Sequence, residues 1–283
     1  MMRQVVSRRQ FGSELRRLRL EAGVQQREIA EVIECDASQI SKVERGERTV
    51  KQLELKAILH RLDVRGEDYS DMMTLGERAR ARQSKRKSMP LIPNSLLRLR
   101  DFEEDAVEIF YVSEGYVPDL LQTPEYTSAI SEIAARPARA PLETLLEFAA
   151  DRQSILDRKT PLWFGVGETA LRRQIGSRTV MRDQLQSLLS VAAKRPWIQV
   201  QVVLANGEPN PLAGNEVSAF RFGPRAENVI YQSTVVGGGV YWHEDADTKP
   251  CLRAFRNLRG SALGVEPSRL LISRRITELA EGE

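Results

Sequence analysis

The chain has 283 residues, enough for two domains that each bury a core, and its 41% hydrophobic and 29% charged residues exclude disorder as the default state. No apolar run approaches the ~18 residues of a membrane span, and the N-terminus lacks the apolar core and cleavage site of a secretory signal. Cys35 and Cys251 stand far apart outside any C-x-x-C pair, which argues against a disulfide framework or structural zinc and fits a reducing cytoplasm.

The first helix is expected from Ser7, where Ser7 and Gln10 have the spacing of a capping box and Val6 and Phe11 flank it as a hydrophobic staple. It carries Phe11, Leu15 and Leu18 on one face and stops near Gly23, which tolerates the left-handed conformation. Val24 and Ile29 staple the second helix, with Gln25 as a weak N-cap. Asp36 and Gln39 form another capping box, flanked by Cys35 and Ile40, and open a third helix over 37–45. Ala30 is small where helices two and three must cross, above Ile29, Ile33, Ile40 and Val43. A fourth helix over 52–62 turns Leu53, Leu55, Ile58, Leu59 and Leu62 inward, and a fifth starts near Asp71.

Residues 24–46, VQQREIAEVIECDASQISKVERG, are thus two short amphipathic segments joined by a turn, the pattern of a helix-turn-helix. With Ile40 and Val43 buried, the third helix presents Ala37, Ser38, Ser41 and Lys42. Ser38 can bond several base edges, Ala37 can meet a thymine methyl, and Lys42 can reach either guanine O6 and N7 or a phosphate. Arg27, Arg45 and Arg48 are candidates for phosphate contacts, which fix register without reading sequence.

Charge supports a nucleic-acid partner only locally. Residues 1–70 carry about 14 basic and 12 acidic side chains, residues 71–100 about 8 and 2, and the remainder is acidic by about five charges. The basic excess lies in ERARARQSKRKS (77–88), which reads either as a solvated linker or as extra phosphate contact. The domain division expected is 1–75 for a helix-turn-helix domain, 76–95 for a basic linker and 96–283 for a second domain.

Gln26, Ile29, Ala30, Ser38, Ile40, Ser41, Glu44, Arg45 and Gly46 give residues 9–63 a resemblance to the Cro/cI-like, xenobiotic-response-element-type repressors. The resemblance implies that Gln26 clamps a phosphate, that Glu44 pairs with Arg19 as scaffold, and that Gly46 ends the recognition helix. Glu34 stands where a glycine is common at the turn and Gln25 where Ser or Thr is usual, so the turn is less ideal than the pattern.

From Leu96 a mixed α/β domain is expected. Helical patterns cover 124–135, 142–157, 180–193 and 249–263, and strands 162–166, 198–204, 217–222 and 228–232, giving a sheet largely antiparallel at its end. The overall fold class is therefore an all-α head followed by an α/β domain. EGYVPDLLQTPEY (114–126), DRQSILDR (151–158), ETALRR (168–173), VMRDQLQSLL (180–189) and IQVQVVL (198–204) resemble the domain of unknown function 5753, which follows such a head in WhiJ-like developmental regulators and toxin–antitoxin-like regulators. That resemblance implies a small partner protein encoded next to the regulator and modulating its DNA binding.

Within this domain Trp163, Trp197 and Trp242 read as core or rim residues. Tyr116, Leu120, Leu121 and Tyr126 either pack the core or line a partner groove, and Glu168, Arg172 and Arg173 suit a surface ion-pair cluster. The segment 237–245, with three glycines, His243, Glu244 and Asp245, reads as a bend between a strand and a helix, as a ligand contact, or as a catalytic nest. No nucleophile elbow, H-E-x-x-H or P-loop pattern accompanies it, so no enzyme, cofactor or metal is expected. The expected function is a cytoplasmic, nucleoid-associated transcriptional regulator, a repressor binding double-stranded DNA as a homodimer through helix 37–45. The alternative is an antitoxin-like module that sequesters a small partner and autoregulates its own operon.

Overall fold

The computed structural model describes residues 6–85, 89–133, 140–212, 214, 216–223, 227–234 and 238–281. The chain divides into two compact units, Met1–Ser88 with Pro224–Ala226, and Met89–Gly223 with Glu227–Glu283. Among the described residues no helix is long and apolar enough to cross a membrane.

The first unit is five helices: α1 (Val6–Glu21), α2 (Gln26–Val32), α3 (Ala37–Glu44), α4 (Gln52–Arg61) and α5 (Gly66–Lys85). Its core joins Phe11, Leu15 and Leu18 to Ile29, Ala30, Ile40, Val43, Leu55, Ile58, Leu59 and Met72. Four consecutive helices end alike, with a left-handed residue at Gly23 (φ 67°), Glu34 (φ 52°), Gly46 (φ 71°) and Asp63 (φ 51°). In each case the residue after it donates its N–H to a carbonyl in the last turn, as in Cys35 to Ala30 (2.9 Å) and Glu47 to Lys42 (2.8 Å). Glu34 and Asp63 thus occupy positions where a Cβ is disfavoured.

Several expectations are corrected. Ser7 lies inside α1 and is not its cap. Asp36 takes the N-cap position of α3 in extended conformation but makes no side-chain capping bond; the turn is closed by the backbone, Gln39 N–H to Asp36 O at 2.8 Å. Leu53 is 79% exposed, because it sits in the first turn of α4 before that helix meets the core. The fifth helix begins at Gly66, and its backbone continues through the start of the basic stretch expected as linker. Gly12 was not anticipated at all: a Cβ there would lie 2.4 Å from Val43 O and 2.5 Å from Glu44 O, so α1 crosses the end of α3 at backbone contact.

The second unit starts with α6 (Asn94–Asp105) and β1 (Glu108–Ser113), continues through α7 (Pro124–Ile133), α8 (Leu142–Gln153), β2 (Leu162–Gly167), α9 (Glu168–Arg172), α10 (Arg178–Lys194) and β3 (Ile198–Val203), then β4 (Glu216–Arg221), β5 (Val229–Ser233) and β6 (Gly239–Trp242), and closes with α11 (Asp245–Ser261) and α12 (Val265–Glu281). The six strands form one sheet in the order β3-β2-β1-β4-β5-β6. The β3-β2-β1 side is parallel and the β1-β4-β5-β6 side antiparallel. The expected strands and helices are present, with the end of the first of those helices, 134–135, outside the described residues. The reading missed β1, at the centre of the sheet, together with β6, α6, α9 and α12.

One face of the sheet packs Phe110, Val112, Trp163, Val217, Ala219 and Ile230 against Ala254, Phe255 and Leu258 of α11. The β3 edge is closed rather than open: Leu263 N–H reaches Val202 O (3.0 Å) and Val202 N–H reaches Ser268 Oγ (2.9 Å). On the opposite face Arg152 of α8 binds Glu103 of α6 through Nε (3.0 Å) and a terminal nitrogen (2.6 Å), with side chains only 5% and 2% exposed. The Tyr111 hydroxyl of β1 donates to the same carboxylate at 2.7 Å.

Two stability measurements follow. Gly12→Ala should destabilise the first unit by about 1–3 kcal/mol in urea titration, because the added methyl forces α1 off α3. Glu34→Gly should stabilise it by about 0.5–1 kcal/mol, since relief of the left-handed strain exceeds the entropy lost by the unfolded glycine.

Candidate nucleic-acid interface

Local chemistry sets the two helices. Gln25 holds the N-cap of α2 with extended backbone (φ −84°, ψ 155°), and its N–H donates to Glu28 Oε2 at 2.8 Å. Arg61 of α4 binds Glu28 at 2.6 Å, a tie between helices that was not anticipated. The left-handed Glu34 then reverses the chain, and Ile40 and Val43 anchor α3 in the core.

At the end of α3 a buried carboxylate joins three helices. Glu44 accepts from Arg19 Nε (2.5 Å) and Nη2 (3.1 Å) and from Gln26 Nε2 (2.7 Å), while Arg19 Nη1 donates to Val24 O (2.9 Å). The Arg19 and Glu44 side chains are 9% and 3% exposed. Hydrogen bonding to Glu44 raises the Arg19 pKa against the opposing effect of burial, so the guanidinium stays charged. Removing either partner of such a pair strands a buried charge and typically costs about 3–5 kcal/mol.

The outward side of α3 is uneven. Ser38 and Lys42 are exposed; Ala37 is half-buried and packs partly against the core. Ser41 is half-buried and accepts a hydrogen bond from Arg45, whose Nε and Nη2 also donate to Glu47 (2.8 and 3.3 Å). Glu47 raises the Arg45 pKa and is itself held below the usual carboxylate range by Arg45. Arg27 is exposed and ion-paired to Glu31 at 3.3 Å, and Arg48 is exposed beyond the helix. Gln26, Ser38, Ser41, Lys42 and Arg45 therefore share the helix pair, but Ser41 and Arg45 are already engaged with each other. Glu47 was missed as their partner, although an i, i+2 acid next to an arginine was visible in the sequence.

The other candidate cluster dissolves. Gly238 (φ 81°) lies in the turn between β5 and β6, where Thr234 N–H donates to Gly238 O (3.0 Å), and Gly239 belongs to β6. Gly238 and Gly239 thus belong to a strand-to-strand hairpin, with Gly237 outside the described residues, while His243 and Glu244 make the expected strand-to-helix junction between β6 and α11, which Asp245 opens. Leu120, Leu121 and Tyr126 are core residues, Trp163 is buried, and Arg173 lies over the Tyr116 ring at 5.3 Å. Glu168 and Arg172 form the surface pair expected, at 2.8 Å.

Comparison with known families places both units. Residues 10–70 match a helix-turn-helix domain, and residues 96–274 match a domain of unknown function, DUF5753. No curated protein matches the chain. The second match spans more than half of the chain, so this protein belongs to the DUF5753 family, with a helix-turn-helix domain preceding that domain.

Proposed function

We propose that this protein is a sequence-specific transcriptional regulator, a repressor, that inserts α3 into the major groove of double-stranded DNA. The observation that carries this reading is the outer side of α3, where Ser38 and Lys42 face solvent on a helix fixed from behind by Ile40, Val43 and Glu44. Lys42 reads a guanine or holds a phosphate, and Ser38 and the edge of Ala37 contribute base contacts. Gln26 is a phosphate clamp whose amide is aimed by its bond to Glu44. Arg27, Arg45 and Arg48 position the backbone, and Ser41 acts through its bond to Arg45.

One such module makes a small interface, so the reading includes a homodimer on half-sites about one helical turn apart. It also includes a controlling role for the second unit, through a small partner protein or ligand, in the manner of the Cro/cI-like and WhiJ-like regulators that the sequence resembles. The protein would then act in the cytoplasm, on the nucleoid, and without catalysis.

Operator binding measured across a salt series tests the interface. Lys42→Ala should weaken binding about tenfold, within the ~1–3 kcal/mol of a specific contact; equal loss on every sequence identifies a phosphate contact, and relaxed preference at one base a reader. Unchanged affinity would remove Lys42 from the interface. Glu47→Gln should tighten binding severalfold on all sequences and steepen the salt dependence by roughly one phosphate contact, because Arg45 is released. An unaltered salt slope would show that Arg45 does not meet DNA.

A further inference from the structure

β2 and β3 run parallel, and their carboxyl ends lie side by side. Gly167 of β2 is followed at once by Glu168 of α9, and Val203 of β3 by Leu204 and Ala205. Open α/β sheets commonly bind ligands in the crevice outside the carboxyl ends of such strands. Here α12 packs against α9, and the two helices leave between them a cavity of about 160 Å³. A single water needs only about 10–15 Å³ of such space, so there is room for a small organic molecule.

Helical spacing builds the walls. Glu168, Leu171 and Arg172 stand at i, i+3 and i+4 on α9, one face of that short helix. Leu271, Arg274, Arg275 and Glu278 follow at i, i+3, i+4 and i+7 on α12. Each helix thus offers one leucine among charged residues. Five charges line the cavity, three guanidiniums against two carboxylates, and the balance is positive. Both carboxylates are engaged. Glu168 accepts from Arg172 Nε (2.9 Å) and Nη2 (2.8 Å) and from Ala205 N–H (3.3 Å). Glu278 accepts from Arg275 Nη1 (3.1 Å) and lies 3.4 Å from Arg274 Nε. Arg275 Nε also donates to Leu171 O (3.3 Å), which fixes this guanidinium at the wall with 24% of its side chain exposed.

What remains open is donors. A guanidinium carries five N–H groups and no acceptor. Arg172 Nη1, Arg275 Nη2 and both terminal nitrogens of Arg274 have no protein acceptor among the described residues. A cation would meet a positive excess and acceptors already engaged, whereas an anion finds charge and unused forks that suit a carboxylate. We propose that this cavity binds a small alkyl carboxylate. Its carboxylate lies on the free guanidinium nitrogens, and its short carbon chain lies against Leu171 and Leu271. The two leucines favour such a ligand over a bare inorganic anion, which has no apolar surface to bury. The inference concerns the second unit alone and stands whether or not α3 binds DNA.

The test is calorimetric titration of the full chain, at low ionic strength, with hexanoate, hexanamide, hexylamine, acetate and inorganic phosphate. Hexanoate should bind saturably, about tenfold more tightly than the neutral hexanamide and about tenfold more tightly than acetate, which lacks the chain. The double variant Arg172→Gln with Arg274→Gln changes only exposed side chains and should remove most of the preference for hexanoate over hexanamide. Leu271→Ala should instead reduce the preference for hexanoate over acetate several-fold. Both variants are checked for native circular dichroism. No saturable binding of hexanoate, equal binding of hexanamide, acetate or phosphate, tighter binding of hexylamine, or a preference unchanged in its variant would overturn the proposal.

Discussion

The first unit is organised around one buried carboxylate. Glu44 ends α3, yet its oxygens are occupied by Arg19 of α1 and Gln26 of α2, so three helices converge on a single charge. A charge in that position is tolerated only with full hydrogen bonding, and the geometry that supplies it leaves little freedom in the angle between α2 and α3. Gly12 completes the constraint from the other side, because only a residue without Cβ lets α1 approach the carbonyls of Val43 and Glu44. Surface residues on α3 can vary without loosening this joint, which separates what the helix presents from what holds it.

The second unit rests on a different constraint. β1 lies between a parallel neighbour and an antiparallel one, and its side chains divide an apolar face under α11 from a face crossed by the Glu103–Arg152 pair. Isolated buried ion pairs stabilise weakly against well-packed apolar groups. Here the pair ties α6, α8 and β1 together, with the Tyr111 hydroxyl as a further donor to the same carboxylate.

Much of the head was legible in its residues. Glu34 stands where the chain needs a left-handed residue, and the structure finds it at φ 52°; Arg19 and Glu44 meet as their family positions imply. What escaped reading depends on partners distant in sequence. Nothing local marks Gly12 as a crossing point, and Leu53 has helical spacing but sits a turn too early to reach the core. Ser41 and Lys42 look equally available in the sequence, and only Arg45 and Glu47 distinguish them. The strand EIFYVS was passed over because five of its six residues are buried, so the alternation that marks a half-buried strand is missing. That Tyr111, Ser218 and Tyr231 are neighbours was likewise unreadable, since they come together only through strand register.

The pairing of β1 also has a temporal side. Ser113 of β1 lies opposite Glu216 of β4, about a hundred residues later in the chain, so the central strand waits for one flank until most of the protein has been made. The helical head, whose helices end through bonds a few residues long, needs no such delay. Contacts between distant residues slow folding and leave unpaired strand edges exposed meanwhile. During synthesis the two units therefore mature in order, with the head folded while the sheet behind it is still open along its middle.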